Sequence, residues 1–527
     1  MKNENLQKMK IDITSTQLKK LNMPWKKTIT VGRAYDLIRE DVLDHLRYLK
    51  KEIGYQYIRF HALFHDDMGV VKRRKDGSLS FQWHHVDKIY DALLDMGLKP
   101  FVELNPMPKA LASGETTMFY YKMNVTPPRL YEEWGMLVEK FTEHCIDRYG
   151  LDEVQQWYFE VWNEPNLKIF WDSENQLEDY FRLYDAAVFA IKGIDENLRV
   201  GGPATAYAGW VKEMIEHCAS NNVPIDFVST HVYQLDETID FGSVAESPNE
   251  EGQFMIDVFK DVEQIVRNSQ LPDLEIHWTE WNAQTAAQKK DVTFTENRAM
   301  DNLYGGSLVA YNCIELDNSC DSMAYWAASD IFEEHPISNA PFSCSYGLVT
   351  QVGIPKATAN AFRFMSKLRG NKLELNCDEV LPHGCGVVAT KELKTVNGFV
   401  YNHLFVTKSE REAFSTDINV QVEEGKYLLT IAKVKVGNGS AKEMWVSMGR
   451  PQNLTPIQEE AIRKMAEPEY SFEVIDADEY ASFSLSLESN EFLYFELKPV
   501  DGVALGKSDE MDLAKLNQQL FTDNALK

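Results

Sequence analysis

Two glutamates stand at the ends of apolar, aromatic segments and could support acid–base or nucleophilic chemistry. Glu164 closes the segment that begins at Trp157, and Glu280 lies near the end of Ile276–Asn282. Both segments have the aromatic and β-branched composition of strands that are covered on both faces. Pro165 follows the first glutamate and cannot continue a β-ladder. We therefore expect each strand to present one carboxyl group at its C-terminal end, and the two groups to meet across one pocket.

The elements that would position these glutamates form a long alternation of strand-like and helix-like segments. Eight alternations favour a closed (β/α)8 TIM barrel over an open doubly wound sheet, and no Gly-rich nucleotide-binding motif follows the first strand. The predicted strands are Thr28–Arg33, Tyr57–Leu63, Lys99–Asn105, Tyr158–Glu164, Arg199–Ala204, Phe227–Tyr233, Ile276–Asn282 and Met323–Asp330.

This count places Glu164 on strand 4 and Glu280 on strand 7, which face each other at the rim where barrel enzymes hold their sites. Two carboxyl groups there favour glycoside hydrolysis. One protonates the leaving oxygen, and the other attacks the sugar or activates water, with their separation deciding the stereochemistry. Glu164 suits the acid role if apolar walls such as Trp162 keep it protonated. Glu280 suits the ionised role if Tyr233 and His231 on strand 6 donate hydrogen bonds to it.

Each motif alone has a simpler explanation. An Asn-Glu-Pro sequence is often only a turn or a helix entry, and a glutamate in a Trp-rich strand could be a paired core carboxylate. His61, with His65, Asp66 and Asp67, could hold a metal, but no matching remote ligand set accompanies these residues. We therefore predict that the site has no metal and that His61 binds sugar.

Other aromatic and acidic residues near the strand ends also admit two interpretations. Trp278 and Trp281 are typical of a core, whereas Trp326 is placed to stack on the apolar face of a sugar. The acidic stretch Asp330–Glu334 is predicted either as a solvated loop or as a rim element that binds hydroxyl groups.

The last third of the chain changes to the period-two alternation of an antiparallel β-sandwich. A helical insert, Pro456–Ala466, interrupts it. We predict a catalytic barrel over residues 15–358 and an accessory sandwich over 359–505. Met9–Ile13 is a candidate extra strand that would join residues 1–14 to the sandwich, and 506–527 is a candidate amphipathic helix. The predicted strands are Gly386–Lys391, Gly398–Thr407, Ile418–Gln421, Tyr427–Val436, Met444–Met448, Tyr470–Ile475 and Phe483–Pro499.

Charge and cysteine content restrict the partners and the compartment. A net charge of −27 would repel nucleic acid and anionic membrane surfaces, so we expect a small or uncharged partner. No apolar leader or spanning segment is recognisable, and the seven cysteines are scattered without metal-binding spacing. These features predict a cytoplasmic protein with reduced thiols and no cofactor.

Beyond the glutamates, motifs along nearly the whole chain resemble the bacterial β-xylosidases of glycoside hydrolase family 39. The resemblance is carried by VGRA, YIRFHALFHDDMGV, PFVELNPMPKALASG, NVTPPRLYEEW, WYFEVWNEPNLKIFW, NLRVGGPA, VPIDFVSTHVY, IHWTEWNA, YWAASDIFEE and MGRP. It implies a barrel with a β-sandwich and a retaining mechanism, in which Glu164 is the acid/base and Glu280 the nucleophile.

The same resemblance implies a sugar-binding set around these two residues. Asn163 matches a residue that binds the 2-hydroxyl, and Phe170 matches an aromatic wall. Members of the family are often tetramers, so a homo-tetramer is expected here too. The remaining matches to the sugar pocket are His61, His231, Tyr233, Trp326 and Glu334.

Two departures from the family leave the glycone open. Phe342–Leu348 replaces a His-Gly-Gly-Phe-Gly stretch, and Trp281 stands where a Tyr is expected. The predicted activity is release of xylose from the non-reducing end of short oligosaccharides. The alternatives are an α-L-arabinopyranoside, a β-galactoside or an α-L-iduronide, the last requiring basic residues of which Arg33 is the evident one at the rim. A non-catalytic carbohydrate-binding protein is the alternative from another class.

Overall fold

The computed structural model describes residues 8–233, 254–283, 299–332, 334, 336–343, 345–405 and 413–500. Eight parallel strands close into a barrel, and Tyr325 of the last strand pairs with Ile29 of the first. The predicted (β/α)8 barrel is thereby confirmed. Its strands, numbered 1 to 8 in chain order, are Thr28–Arg33, Tyr57–His61, Lys99–Leu104, Tyr158–Val161, Arg199–Thr205, Phe227–Tyr233, Glu275–Asn282 and Ser322–Tyr325.

Amphipathic helices surround the barrel. In the helix Tyr131–Tyr149 one face, which includes Trp134 and Phe141, is buried. Glu132 and Glu133 lie in its first turn and Arg148 in its last, as the helix dipole favours. The other helices of this region are Glu40–Glu52, His84–Asp95, Leu151–Val154, Gln176–Ile194, Val211–Asn221, Phe254–Arg267, Leu303–Glu315 and Ala357–Met365. Short 3-10 turns span Pro24–Lys26, Ala34–Ile38, Asp66–Met68, Ala206–Ala208 and Ala299–Asp301, and two small hairpins join Val71–Arg73 to Leu79–Phe81 and Thr117–Met118 to Met123–Asn124.

The barrel interior changes from aromatic to charged along its axis. Tyr57, Phe101, Tyr158 and Phe227 form one buried aromatic cluster. Arg59 lies two residues further along strand 2 and is fully buried. Because the side chains of a strand alternate, residues two positions apart on each strand form successive layers inside the barrel. The aromatic layer therefore closes the floor beneath a polar layer.

A ten-stranded mixed sheet is the main feature outside the barrel. The N-terminal strand Met9–Lys20 lies in it, antiparallel to Asn371–Cys377 and parallel to Phe414–Gln421. The remaining strands are Cys385–Glu392, Thr395–Asn402, Gly425–Val436, Gly439–Ser440, Glu469–Ala477, Tyr480–Leu487 and Phe492–Pro499. The division of the chain at residue 358 stays a prediction, and the candidate helix at 506–527 lies outside the described residues.

Three details of this region differ from the sequence prediction. Met444–Met448 is not a strand but part of the helix Lys442–Ser447, whose Trp445 is buried against Phe342. The predicted strand Phe483–Pro499 is two strands, since a turn around Asn490, at φ 66°, interrupts it. The strand Asn371–Cys377 was not predicted. The helical insert is observed at Pro456–Met465.

Candidate active site

Glu164 lies on a strained turn that follows strand 4. The strand ends at Val161, and Trp162 and Glu164 have φ values of 72° and 47°, in the left-handed region that non-glycine residues rarely adopt. The amide of Glu164 donates to the carbonyl of Ala204 at 2.8 Å, and its carbonyl accepts from the amide of Leu167 at 3.0 Å. These bonds hold the turn, and Glu164 remains 9% exposed at the barrel mouth.

A β-bulge on strand 7 turns two consecutive side chains into the barrel. The register with strand 6 shifts between Trp278 and Glu280, which leaves Thr279 as the extra residue. Trp278 stacks on Phe259 outside the barrel, and Trp281 is also buried in the core, as predicted. Thr279 and Glu280 both hydrogen-bond to groups inside the barrel. Without the bulge, strict alternation would direct only one of them inward.

Arg59 is the centre of the buried polar layer. Its guanidinium donates to Glu280 Oε1 at 2.8 Å, to Glu160 Oε2 at 2.6 Å and to Asn163 Oδ1 at 2.9 Å. Glu103 Oε2 lies 2.8 Å from its Nη2. Several carboxyl groups thus surround one cation, which raises the pKa of Arg59 above its usual value although burial opposes this.

Four residues of this layer were not predicted as functional: Arg59, Glu103, Glu160 and Thr279. The sequence carried a signal for three of them, because a charged residue in the middle of an apolar strand is almost never buried without a partner. Arg59 within Tyr57–His61 and Glu160 within Tyr158–Val161 are such cases. Thr279 had no comparable signal, since its inward direction depends on the bulge.

The two predicted catalytic carboxyl groups lie close together. One oxygen of Glu164, one oxygen of Glu280 and a ring nitrogen of His231 all lie within 4.8 Å of one another. The Tyr233 hydroxyl donates to Glu280 Oε2 at 2.8 Å. Burial raises the pKa of Glu280, and the charge of Arg59 and the hydrogen bond from Tyr233 oppose that rise. Burial and the adjacent Glu280 raise the pKa of Tyr233, so it stays a hydrogen-bond donor.

His231 lies nearer to Glu164 than to Glu280. Its Nδ1 is 2.9 Å from Glu164 Oε1 and 3.8 Å from Glu280 Oε2, so the expected donation to Glu280 is made by Tyr233 and not by His231. Its Nε2 is 3.1 Å from Thr279 Oγ1. Burial lowers the pKa of His231 well below its usual value, helped by the positive charge of Arg59. The imidazole is therefore neutral at neutral pH.

His61 and Trp326 form another side of the pocket. The two rings lie 4.6 Å apart, and His61 Nε2 is 3.4 Å from Glu280 Oε1. His61 Nδ1 is held by Glu103 at 2.8 Å. Burial lowers the pKa of His61 to about 4. Trp326 belongs to a buried aromatic cluster with Tyr233, Phe332 and Tyr346.

Three other predicted residues have surroundings of a different kind. Trp162 turns into the core between Trp134 and Trp171 and is thus not an exposed wall beside Glu164. Phe170 packs on Phe119 in a small apolar cluster. Glu334 is half-buried, and burial together with the charges of Glu280 and Asp36 raises its pKa to about 8.

The chemistry of these side chains suits proton and glycosyl transfer better than metal binding. Glu164, His231 and Glu280 could together offer three ligand atoms. Both oxygens of Glu280, however, already accept hydrogen bonds, one of them from the Arg59 guanidinium, whose charge would repel a metal cation. His65, proposed above as a conceivable ligand, instead pairs with Asp67 at 2.8 Å.

The stretch after strand 8 that departs from the family is anchored by a buried ion pair. Lys356 Nζ lies 2.9 Å from Asp330 and donates to the carbonyl of Ser345 at 2.9 Å. The Gly347 amide donates to Asp330 Oδ1 at 2.7 Å, and a Cβ at Gly347 would lie 2.3 Å from the Asp330 nitrogen. Asp330 is therefore a structural residue, and neither predicted role, solvated or hydroxyl-binding, applies to it.

Comparison with known proteins gives a consistent result. Residues 7–477 match the sequence profile of glycosyl hydrolases family 39. A β-xylosidase of Caldicellulosiruptor saccharolyticus is 37% identical over 465 residues, 87% of this chain and 92% of that protein. One from Geobacillus stearothermophilus is 33% identical over 500 residues, 93% of this chain and 95% of that protein.

Solved structures agree with the sequence comparison. A structure described as a monomeric β-xylosidase from Caulobacter crescentus superimposes with a TM-score of 0.82 at 30% identity, covering 93% of this chain and 99% of that one. The barrel, the facing glutamates and the match over most of the chain lead to one conclusion: this chain belongs to glycosyl hydrolase family 39.

Proposed function

We propose that this glycosyl hydrolase is a retaining exo-β-xylosidase that releases xylose from the non-reducing end of short oligosaccharides. The observation that carries the mechanism is the separation of the two carboxyl groups, whose nearest oxygens lie within 4.8 Å. Retaining glycosidases hold their carboxyl groups about 5–5.5 Å apart, whereas inverting enzymes need space for a water between them. The xylose assignment is supported by the β-xylosidases that the chain resembles over most of its length.

The surroundings of each glutamate suit a different step. Glu164 protonates the leaving oxygen while Glu280 attacks the sugar carbon, and Glu164 then takes a proton from the water that hydrolyses the glycosyl-enzyme. Arg59 and Tyr233 favour the ionised form of Glu280 that attack requires. Asn163 accepts a bond from Arg59 through Oδ1, which leaves its NH2 group to donate to the 2-hydroxyl.

The remaining predicted residues would recognise the glycone. His61 and Trp326 form a wall on which a sugar ring could stack, and Glu334 could accept hydroxyl groups at the rim. Phe170 is a candidate wall for the leaving side. An arabinopyranoside or a galactoside fits the same mechanism and stays an alternative.

An iduronide is less favoured because Arg33, the basic residue expected at the rim, is already engaged. Arg33 pairs with Asp67 at 2.5 Å and lies over the ring of Tyr121. A sugar carboxylate would have to compete with that aspartate.

The first experiment measures turnover of aryl β-xyloside, α-L-arabinopyranoside, β-galactoside and β-glucoside by the wild type and by two variants. Glu280→Ala should abolish turnover of all of them. Glu164→Ala should keep activity on substrates with good leaving groups, and azide should restore its rate by attacking the glycosyl-enzyme. Full activity of either variant on a xylo-oligosaccharide would sink the assignment, and no turnover of any glycoside by the wild type would favour the non-catalytic binding protein.

We propose two further properties, a cytoplasmic location and a tetrameric assembly. In the described part of the chain no helix is both long and apolar enough to cross a membrane, and no disulfide joins the described cysteines. Reduced thiols favour the cytoplasm, and fractionation of the native host would test this. The expected tetramer would be tested by light scattering. A monomer, as one solved relative is described, is the opposing outcome.

A further inference from the structure

A chain of buried hydrogen bonds runs from Arg59 to the proposed acid, Glu164, and passes through His231 and through two residues with no assigned role, Glu160 and Thr279. Arg59 Nε donates to Glu160 Oε2 at 2.6 Å, and Thr279 Oγ1 donates to Glu160 Oε1 at 2.7 Å. Thr279 Oγ1 is 3.1 Å from His231 Nε2, and His231 Nδ1 is 2.9 Å from Glu164 Oε1. All of the first four residues in this chain are fully buried, so water does not take part in these hydrogen bonds: Arg59, Glu160, Thr279 and His231.

The direction of each hydrogen bond follows from counting protons, starting at Glu160. Both of its oxygens accept hydrogen bonds, one of them from a guanidinium, which is the arrangement of a carboxylate. A threonine hydroxyl has a single proton, and Thr279 donates it to Glu160. Thr279 Oγ1 can therefore only accept from His231, which places the imidazole proton on Nε2.

A neutral imidazole that carries its proton on Nε2 has a lone pair on Nδ1. Burial and the nearby charge of Arg59 depress the pKa of His231, so a second proton on the ring is disfavoured. The short contact between Nδ1 and Glu164 Oε1 then needs a proton from the glutamate. We propose that Glu160, Thr279 and His231 act as a positioning relay, which fixes the tautomer of His231 and thereby keeps Glu164 protonated in the free enzyme.

The relay also suits the second half of the reaction, and this inference rests on the proposed function. Once Glu164 has given its proton to the leaving oxygen, its carboxylate faces the Nδ1 lone pair with no donor from that side. Such a carboxylate is a stronger base, which helps it to take a proton from the hydrolytic water. The proton that leaves Glu164 in the first step is thus replaced by one from water in the second.

The charged groups around Glu164 and His231 belong to several strands. Glu280 lies within reach of both, and the hydroxyl of Tyr233 is held by Glu280. These groups are present in every variant considered below, so a change between variants reports on the relay. Among the described barrel strands, the titratable groups around the pair are Arg59 and His61 on strand 2, Glu103 on strand 3, Glu160 on strand 4, Tyr233 on strand 6 and Glu280 on strand 7.

The test compares Thr279→Val, which keeps the shape but removes the hydroxyl, with Thr279→Ser, which keeps the hydroxyl. Without an acceptor at Nε2, His231 can move its proton to Nδ1 and donate to an ionised Glu164. The alkaline pH at which kcat/KM for a xylo-oligosaccharide begins to fall should then be lower by about one pH unit in the valine variant. The reason is that a hydrogen bond to the carboxylate of Glu164 now favours its ionisation. The serine variant should keep the wild-type value of this pH.

A substrate with a better leaving group distinguishes loss of the relay from a nonspecific loss of activity in Thr279→Val. A dinitrophenyl glycoside needs little protonation of its leaving oxygen, so its kcat/KM should not show the shift. A uniform loss of kcat/KM at every pH, or an equal shift on both substrates, would overturn the relay. The proposed function would still stand after either outcome if Glu164→Ala loses more activity on the oligosaccharide than on the dinitrophenyl glycoside. Equal losses on the two substrates would count against the function itself.

The tautomer can also be observed without turnover. In the full chain labelled with 15N-histidine, the ring signals of His231 are identified among the 12 histidines by their absence in His231→Gln. The proposal predicts a protonated Nε2 and an unprotonated Nδ1 in the wild type and in Thr279→Ser, and a change of that pattern in Thr279→Val. A proton on Nδ1 of the wild type would overturn it.

Discussion

The ends of strands 4 and 7 carry the same carboxyl group in opposite surroundings. Glu280 receives hydrogen bonds from a guanidinium and a phenol, both of which favour its anion. Glu164 faces a neutral imidazole nitrogen and stands on a turn that leaves it 9% exposed, against 5% for Glu280. Since residue type and depth of burial are nearly the same, the difference teaches that the partners are what can assign the two proposed roles, anion for Glu280 and acid for Glu164.

The two ends are nevertheless connected. Arg59 donates to Glu280 directly and is connected to Glu164 through Glu160, Thr279 and His231. In the proposed relay, one buried cation thus biases one glutamate toward ionisation and the other toward protonation. Changes at Arg59, at a direct partner of Glu280 and at a more distant neighbour should therefore have effects of decreasing size.

Arg59→Met should have the largest effect. It leaves Glu103, Glu160 and Glu280 without their shared cation, and removal of one partner from a buried ion pair costs about 3–5 kcal/mol. Urea unfolding at pH 7 should show a loss of this size, and kcat/KM should fall as Glu280 loses its counter-charge.

The control for this change is Arg182→Met. Arg182 pairs with Asp179 on the surface with 64% of its side chain exposed, and exposed pairs contribute at most about 1 kcal/mol. Equal losses in the two variants would contradict a special role for Arg59. If Arg59→Met fails to fold, Arg59→Lys keeps one charge but loses the three-way donation, and it should show an intermediate loss.

Tyr233→Phe should affect catalysis more than folding. It removes the hydroxyl that donates to Glu280 Oε2, and a hydrogen bond to a charged group contributes about 1.5–3 kcal/mol. We expect kcat/KM to fall roughly 10- to 150-fold, with the loss seen for good and poor leaving groups alike because both require the nucleophile.

Tyr90→Phe provides the matched change elsewhere. Tyr90 is fully buried and its hydroxyl has no hydrogen-bond partner among the described residues. Its removal should leave kcat/KM near the wild-type value. A comparable loss in both variants would show that buried tyrosines matter here for packing and not through the bond to Glu280.

The sequence predicted the barrel well because each barrel strand is a distinct apolar segment between amphipathic helices. All eight strands lie where expected, and Glu164 and Glu280 lie close together as the strand count implied. The hydrogen-bond partners were less predictable. The bulge that turns Thr279 inward depends on pairing with strand 6, so the local sequence pattern does not predict it.

The accessory sheet shows the same limit. The prediction of a strand at Met444–Met448 was wrong because alternating apolar residues suit a short helix as well, and the packing of Trp445 on Phe342 decides between them. Trp162 was expected to line the pocket, but the positive φ of the turn directs it into the core. Contacts distant in sequence determined both outcomes.

The smallest expected effect, taken per pH unit, is a change in how stability depends on pH at His61. The unfolded chain binds the imidazole proton near pH 6.5, whereas the folded protein binds it only near pH 4, since burial disfavours the cation. Unfolding therefore takes up a proton between these values, and the contribution of His61 to stability is lost as the pH falls from 6.5 to 4. One such group changes the free energy of unfolding by at most about 1.4 kcal/mol per pH unit.

Urea unfolding at pH 7, 6, 5 and 4 should give a flatter dependence of stability on pH for His61→Gln than for the wild type, while His84→Gln, at an exposed position, should follow the wild type. If His61→Gln has the same pH dependence of stability as the wild type, the folded protein accepts a proton at His61 as readily as the unfolded chain does. His61 would then be a charged neighbour of Glu280, like Arg59, and not a neutral wall.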